Sequence, residues 1–175
     1  MAPAGYRRLF IALPVAGETG KQLDPYCVSH PHARWITAAN RHLTLVFLGH
    51  HTEEQTRRAI EVVDRLDAAA FEIALCSLQR FPDERGRNIV ALPSESIPLK
   101  QLYQQVAKAL KTRGFTMKQR DFRPHITLGK IHRGHWSTVD ISPPIMMTTE
   151  SVTLFETEFT DGGVTYHPLA SQPLR

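Results

Sequence analysis

The chain carries one short pattern twice: His42-Leu43-Thr44-Leu45 and, about half its length further on, His125-Ile126-Thr127-Leu128. In each copy histidine and threonine take alternate positions and aliphatic residues fill the gaps. Side chains on an extended strand project to opposite faces in turn. Each copy therefore predicts a half-buried strand with His and Thr on one face and its aliphatics in a core. One such strand is commonplace. Two of them predict a pair of imidazoles and a pair of hydroxyls turned toward one cleft, which ties distant parts of the chain to a shared surface.

The flanking segments supply the rest of an α+β fold. Residues 7–13 read as a strand stopped by Pro14, and 18–28 as a short helix weakened by Gly20 and Pro25. Residues 33–37 read as a brief strand, and 42–48 as a strand closed by Gly49 and the polar His50-His51-Thr52. Residues 53–66 predict a helix: Thr52 can cap it, Glu53 and Glu54 sit in its first turn, and Ile60, Val63 and Leu66 recur at helical spacing. Residues 71–78 and 88–92 read as strands joined by a turn over 82–86. A second helix starts at Pro98 and runs to about Arg113 on the stripe Leu99, Leu102, Val106 and Leu110, with Gly114 as its stop. Beyond the second motif come a loop through Gly134 and Pro143-Pro144, then strands over 152–159 and 164–169 joined at Asp161-Gly162-Gly163. The order predicts two α+β halves, each contributing one His-x-Thr strand, with sheets facing each other across a groove.

A length of 175 residues suits one domain, or two small lobes sharing a core. A hydrophobic share of 42% with 22% charged residues is that of a soluble globular protein. The net charge of +4 favours anionic partners such as nucleic acid or nucleotides, and an evenly solvated basic surface is the alternative. Cys27 and Cys76 form no CxxC and read as reduced thiols of a cytosolic protein, a single disulfide being the other option. Arg7-Arg8 before the apolar run 9–13 imitates a signal start, but Pro14, Glu18 and Lys21 cut it short. No run of about 18 or more apolar residues is present, so a cytoplasmic protein without a membrane partner is expected.

Histidine titrates near pH 6.5, so around neutrality one imidazole can accept a proton while another, as imidazolium, donates one. Placed on opposite sides of a phosphorus centre, one activates the attacking group and the other protonates the departing oxygen. Thr44 and Thr127 would donate to the non-bridging oxygens, where the transition state holds negative charge. Arg123 shares a face with His125 and Thr127 in an extended chain, and Pro124 biases it to that geometry; a guanidinium there suits a phosphate, or is a plain surface cation. Lys130 falls on the opposite face of a regular strand, which argues against direct contact. The other histidines, His30, His32, His50, His51, His132 and His135, lack Cys, Asp or Glu at ligand spacing and read as solvated, so no metal is predicted. No glycine-rich phosphate loop is present and no cofactor is expected.

At these residues the chain resembles the 2H phosphoesterase superfamily, and within it the RNA 2′,3′-cyclic phosphodiesterases, also called LigT-like or 2′-5′ RNA ligase proteins. The resemblance runs almost end to end. Arg8-Leu9-Phe10-Ile11-Ala12-Leu13 resembles the opening strand, and Trp35 precedes His42-Leu43-Thr44-Leu45-Val46-Phe47-Leu48-Gly49, close to the first motif. Phe122-Arg123-Pro124-His125-Ile126-Thr127-Leu128 resembles the second, and Leu154-Phe155-Glu156 with Tyr166 and Leu169 the closing hairpin. The resemblance implies a single bilobal domain over 1–175, with pseudo-symmetric halves, mainly antiparallel sheets about a central cleft and helices outside. It implies hydrolysis of terminal 2′,3′-cyclic phosphates to 2′-phosphates, independent of metal and ATP, on RNA ends or cyclic nucleotides. His42 would be the proton donor and His125 the acceptor, labels that a near-symmetric site can exchange, with Thr44 and Thr127 on phosphate oxygens. Substrate contacts would come from Arg123 and from Lys130, where the family often has arginine; lysine keeps the charge but loses bidentate reach. A monomer without an obligate protein partner is expected, and 2′-5′ ligation is the associated reaction. Two other classes compete: a nucleotide- or RNA-binding module without chemistry, and a metal-dependent hydrolase, which a chelator would inactivate.

Overall fold

Five consecutive buried residues, Leu9 to Leu13, make β1 (Arg7–Pro14) a strand covered on both faces. Leu9, Ile11 and Leu13 enter the main core, while Phe10 and Ala12 turn to the opposite side. The computed structural model describes residues 4–28, 30–81, 86–118 and 120–175. After β1 follow α1 (Gly17–Leu23), β2 (Ala33–Trp35), β3 (His42–His51), α2 (Glu53–Asp64), β4 (Glu72–Arg80), β5 (Asn88–Pro93) and α3 (Ile97–Thr112). The chain closes with β6 (Ile126–Ile131), β7 (Val139–Thr148), β8 (Ser151–Thr160) and β9 (Gly163–Pro173).

The strands pair antiparallel in the order β7-β4-β5-β6-β3-β1-β8-β9, with β2 added to β6. Two four-stranded halves meet at β6 and β3, joined by the single register pair Leu43–Ile126. The predicted α+β architecture is present, with one His-x-Thr strand from each half at the junction. The halves are not consecutive in sequence: the C-terminal hairpin β8–β9 returns to β1, and β2 attaches to the far half.

Both long helices form where their patterns place them. Thr52 and Gln55 build a reciprocal capping box at α2, Gln55 N donating to Thr52 Oγ1 (3.3 Å) and Thr52 N to Gln55 Oε1 (2.9 Å). Helix α3 is capped by Ser96 Oγ and buries the stripe Leu99, Leu102, Val106 and Leu110. Helix α2 packs on β8 and β9, and α3 on α2 and β3.

Three expectations change. The helix over 18–28 ends at Leu23, because Asp24-Pro25-Tyr26 tighten into a 3-10 turn. Strand β3 continues through Gly49 to His51, since β1 pairs it to Arg7 and Gly49 takes a positive φ of 84° at an irregularity. Pro143 and Pro144 lie within β7 rather than in a loop. That strand is at the sheet edge, and its ladder to β4 is interrupted between Ile145 and Asp140, so neither proline needs to donate a bond. The turn expected over 82–86 lies, but for Gly86, outside the described residues.

Candidate active site

Leu43 and Ile126 are fully buried and face each other across the junction of the halves. One step either way along this antiparallel register sets His42 against Thr127 and Thr44 against His125, all four half-buried on the opposite face. The two motifs are therefore brought together as the sequence predicts.

Each imidazole is held in the same way. His42 Nδ1 donates to the Asn40 carbonyl and His125 Nδ1 to the Arg123 carbonyl, both at 2.8 Å. A carbonyl only accepts, so both bonds hold the proton on Nδ1 and leave Nε2 as the basic nitrogen. Burial pushes the pKa of each below the ordinary 6.5, partly offset by these carbonyl bonds. The charge of His125 lowers His42 further, and that of Arg123 lowers His125. Each ring therefore holds a proton less readily than a free imidazole and resists the proton that an acid must carry.

Aromatic rings absent from the sequence-level site wall it. The Phe10 ring lies 4.8 Å from His42 and Tyr166 meets it edge-on at 5.1 Å. Phe81 packs on His125 at 4.1 Å, and the Arg123 guanidinium lies over the same Phe81 ring at 5.7 Å. Arg123 precedes β6 and touches His125 through its backbone carbonyl and, by way of Phe81, its side chain. Arg41, also absent from the sequence-level site, is buried beside His42; its Nη1 donates to Gly20 O (3.1 Å) and Asp24 Oδ1 (2.7 Å) and so fixes the α1 end to the motif. Arg41 follows Asn40 in an ordinary polar stretch, so no local pattern announces it. Phe10 lies on β1, Tyr166 on β9 and Phe81 just past the end of β4, segments that become neighbours only on folding.

Lys130 lies on the same face as His125 and Thr127, contrary to the regular-strand expectation. Val90 pairs with Thr127 but Ile89 pairs with Gly129, so Leu128 is an extra residue and the strand's alternation flips there. The first motif has the matching irregularity: Ala12 pairs with Thr44 and Ile11 with Val46, leaving Leu45 extra. Each bulge follows its threonine directly and returns one exposed side chain to the site face, Phe47 in one half and Lys130 in the other. Gly129, inside the second irregularity, is required by close approach: a Cβ there would lie 2.7 Å from Trp35 Cε3 and 2.9 Å from the Arg34 carbonyl oxygen. Among the described residues no group of three or more His, Cys, Asp or Glu is placed to hold a metal ion, and no helix is long and apolar enough to cross a membrane.

Comparison with known proteins locates this geometry in a family. Residues 27–159 match the model of the 2′-5′ RNA ligase superfamily. The chain belongs to that superfamily. An Escherichia coli protein named RNA 2′,3′-cyclic phosphodiesterase is 30% identical over 171 residues, covering 93% of this chain and 94% of that protein. A Thermotoga maritima protein of the same name is 27% identical over 174 residues, covering 93% and 92%. The crystal structure of E. coli LigT in apo form superposes on this 2′-5′ RNA ligase superfamily member with a TM-score of 0.85 at 24% identity, over 98% of this chain and 99% of that one. The fold is therefore shared along its whole length.

Proposed function

We propose that this protein hydrolyses terminal 2′,3′-cyclic phosphates of RNA to 2′-phosphates by acid–base catalysis between His42 and His125. The observation that carries the reading is the matched pair of imidazoles, each held by the carbonyl two residues before it, on strands whose register faces each histidine with the other motif's threonine. The similarity to proteins named RNA 2′,3′-cyclic phosphodiesterase supports the substrate.

His125 Nε2 takes a proton from water as its oxygen bonds to phosphorus. The bond from phosphorus to O3′ breaks, and O3′ takes the proton from His42 Nε2, which enters as imidazolium. The product carries a 2′-phosphate and a free 3′-hydroxyl, and solvent exchange restores both imidazoles. Thr44 and Thr127 donate to the non-bridging oxygens, where they stabilise charge only as it develops. Arg123 supplies positive charge to the bound phosphate, and Lys130 contributes positive charge to the substrate from further along the same face. With a 5′-hydroxyl in place of water, the same transfer joins two RNA ends through a 2′-5′ bond. The two imidazoles account for both proton transfers, so the reading needs neither metal nor ATP. It takes the chain as one bilobal domain, monomeric, acting in the cytoplasm, where the free thiols Cys27 and Cys76 stay reduced.

The test is incubation with an RNA ending in a 2′,3′-cyclic phosphate, chelator present, and identification of the product. The reading expects a 2′-phosphate, with roughly 10²–10⁴-fold loss in His42→Ala and in His125→Ala. A 3′-phosphate product, or full activity in either variant, would overturn it. Binding without turnover by folded protein would identify a binding module instead.

A further inference from the structure

The site face continues beyond the motifs as a cross-strand row that only one half possesses in charged form. Phe81 N donates to Asn88 O, Asn88 pairs with Lys130, and Lys130 pairs with Arg34. Directly paired residues share a face. Val90, opposite Thr127, and Asn88 are two apart on β5, so this row projects with the catalytic pair. The matching row of the first half is Phe155, Phe10 and Phe47, all aromatic, and among the described residues it has no counterpart of β2.

Lys130 and Arg34 are exposed, lie directly opposite each other, and neither has an ion pair or side-chain hydrogen bond among the described residues. Like charges so placed repel and disfavour the pairing of their strands. Strand β2 is nevertheless fixed in place: Trp35 fits against Gly129, Trp35 Nε1 donates to Val28 O at 2.9 Å, and Ile36 N donates to Leu128 O at 2.8 Å. An anion lying over the two cations would relieve the repulsion. The row stands about 7 Å along the sheet from Thr127, and Arg34 about 5 Å further across. That offset suits the next phosphate of a nucleic-acid strand whose end occupies the histidine pair.

We propose that Arg34, in line with Lys130, holds the phosphate of the nucleotide upstream of the RNA end, so that the protein prefers oligoribonucleotides to cyclic mononucleotides. This rests on the cyclic phosphodiesterase reading and assigns the direction in which the RNA leaves the cleft: over β6 and β2, away from the aromatic half.

The experiment compares wild type, Arg34→Gln and Arg34→Glu on a short RNA ending in a 2′,3′-cyclic phosphate and on 2′,3′-cyclic AMP, with melting curves to verify folding. Arg34→Glu is expected to lower kcat/KM roughly tenfold on the RNA and to leave the mononucleotide unchanged, a charged phosphate contact being worth about that much. In parallel, affinity for the same RNA bearing a 2′-phosphate is measured against salt, and loss of one contact should flatten the slope of log K by about 0.7. Equal losses on both substrates would overturn the proposal. So would an unchanged salt slope. If wild type turns over neither substrate the phosphodiesterase reading fails, while the salt slope still decides whether Arg34 contacts RNA.

Discussion

Replacing Gly129 with alanine adds one methyl group at the point where β2 crosses the second motif. The new Cβ would sit 2.7 Å from Trp35 Cε3 and 2.9 Å from the Arg34 carbonyl oxygen. Carbon contacts are at their optimum near 3.5–4.0 Å, so the overlap with the ring carbon approaches about 1 Å, and the contact with the oxygen is also too close. The Trp35 ring is held by its bond to Val28 O, and the oxygen belongs to the backbone of a paired strand, so neither neighbour yields cheaply. Overpacking of this kind costs typically 1–3 kcal/mol, and we expect the upper part, about 2–3 kcal/mol. At roughly 2–4 °C per kcal/mol for a chain of this size, Tm should fall by about 4–12 °C. Calorimetry on wild type, Gly129→Ala, Trp35→Ala and the double variant measures it. The double variant should lose less than the sum of the singles, because removing the ring relieves one of two overlaps. An unchanged Tm in Gly129→Ala, or strict additivity, would refute the close-approach argument.

Three further outcomes follow from the site and its supports. Both imidazole pKa values lie below 6.5, and the productive form carries one proton, so kcat/KM should peak on the acid side of 6.5 and fall as pH rises; an optimum in the alkaline range would contradict this. Phe81→Ala exposes the His125 ring to water and should raise its pKa toward 6.5, seen as a shifted limb of the pH profile and in an NMR titration, whereas a purely structural role would alter stability alone. Thr52→Ala removes the α2 capping box and should cost about 1 kcal/mol in chemical denaturation with catalysis intact, since α2 lies on the core face and away from the histidines.

The helices were legible because their information is local. The α3 stripe and the Thr52 cap stand within a few residues of what they govern, and both appear as expected. Strands were harder wherever a neighbour decided their extent. Pro143 and Pro144 imitate a loop until β7 is known to lie at a sheet edge, where an interrupted ladder accommodates them. Strand β3 outruns its sequence signal because β1 supplies partners as far as His51. The histidines and threonines could be named from alternation; Phe10, Phe81, Tyr166 and Arg41 could not, because each reaches the site from a segment distant in sequence or through a buried side chain.

By itself the sequence determined that two strands would each present a histidine and a threonine on one face, because period-two alternation is a property of the extended backbone. It also determined two amphipathic helices, the first with its Thr52 cap. Tertiary structure alone decided that the motif strands lie side by side, joined at Leu43 and Ile126, and that the last hairpin completes the half begun by the first strand. It alone decided the face of Lys130. A bulge arises from the mismatch between two paired strands, here β5 and β6, and reverses every side chain beyond it, so no reading of one strand in isolation could place that cation beside the histidines.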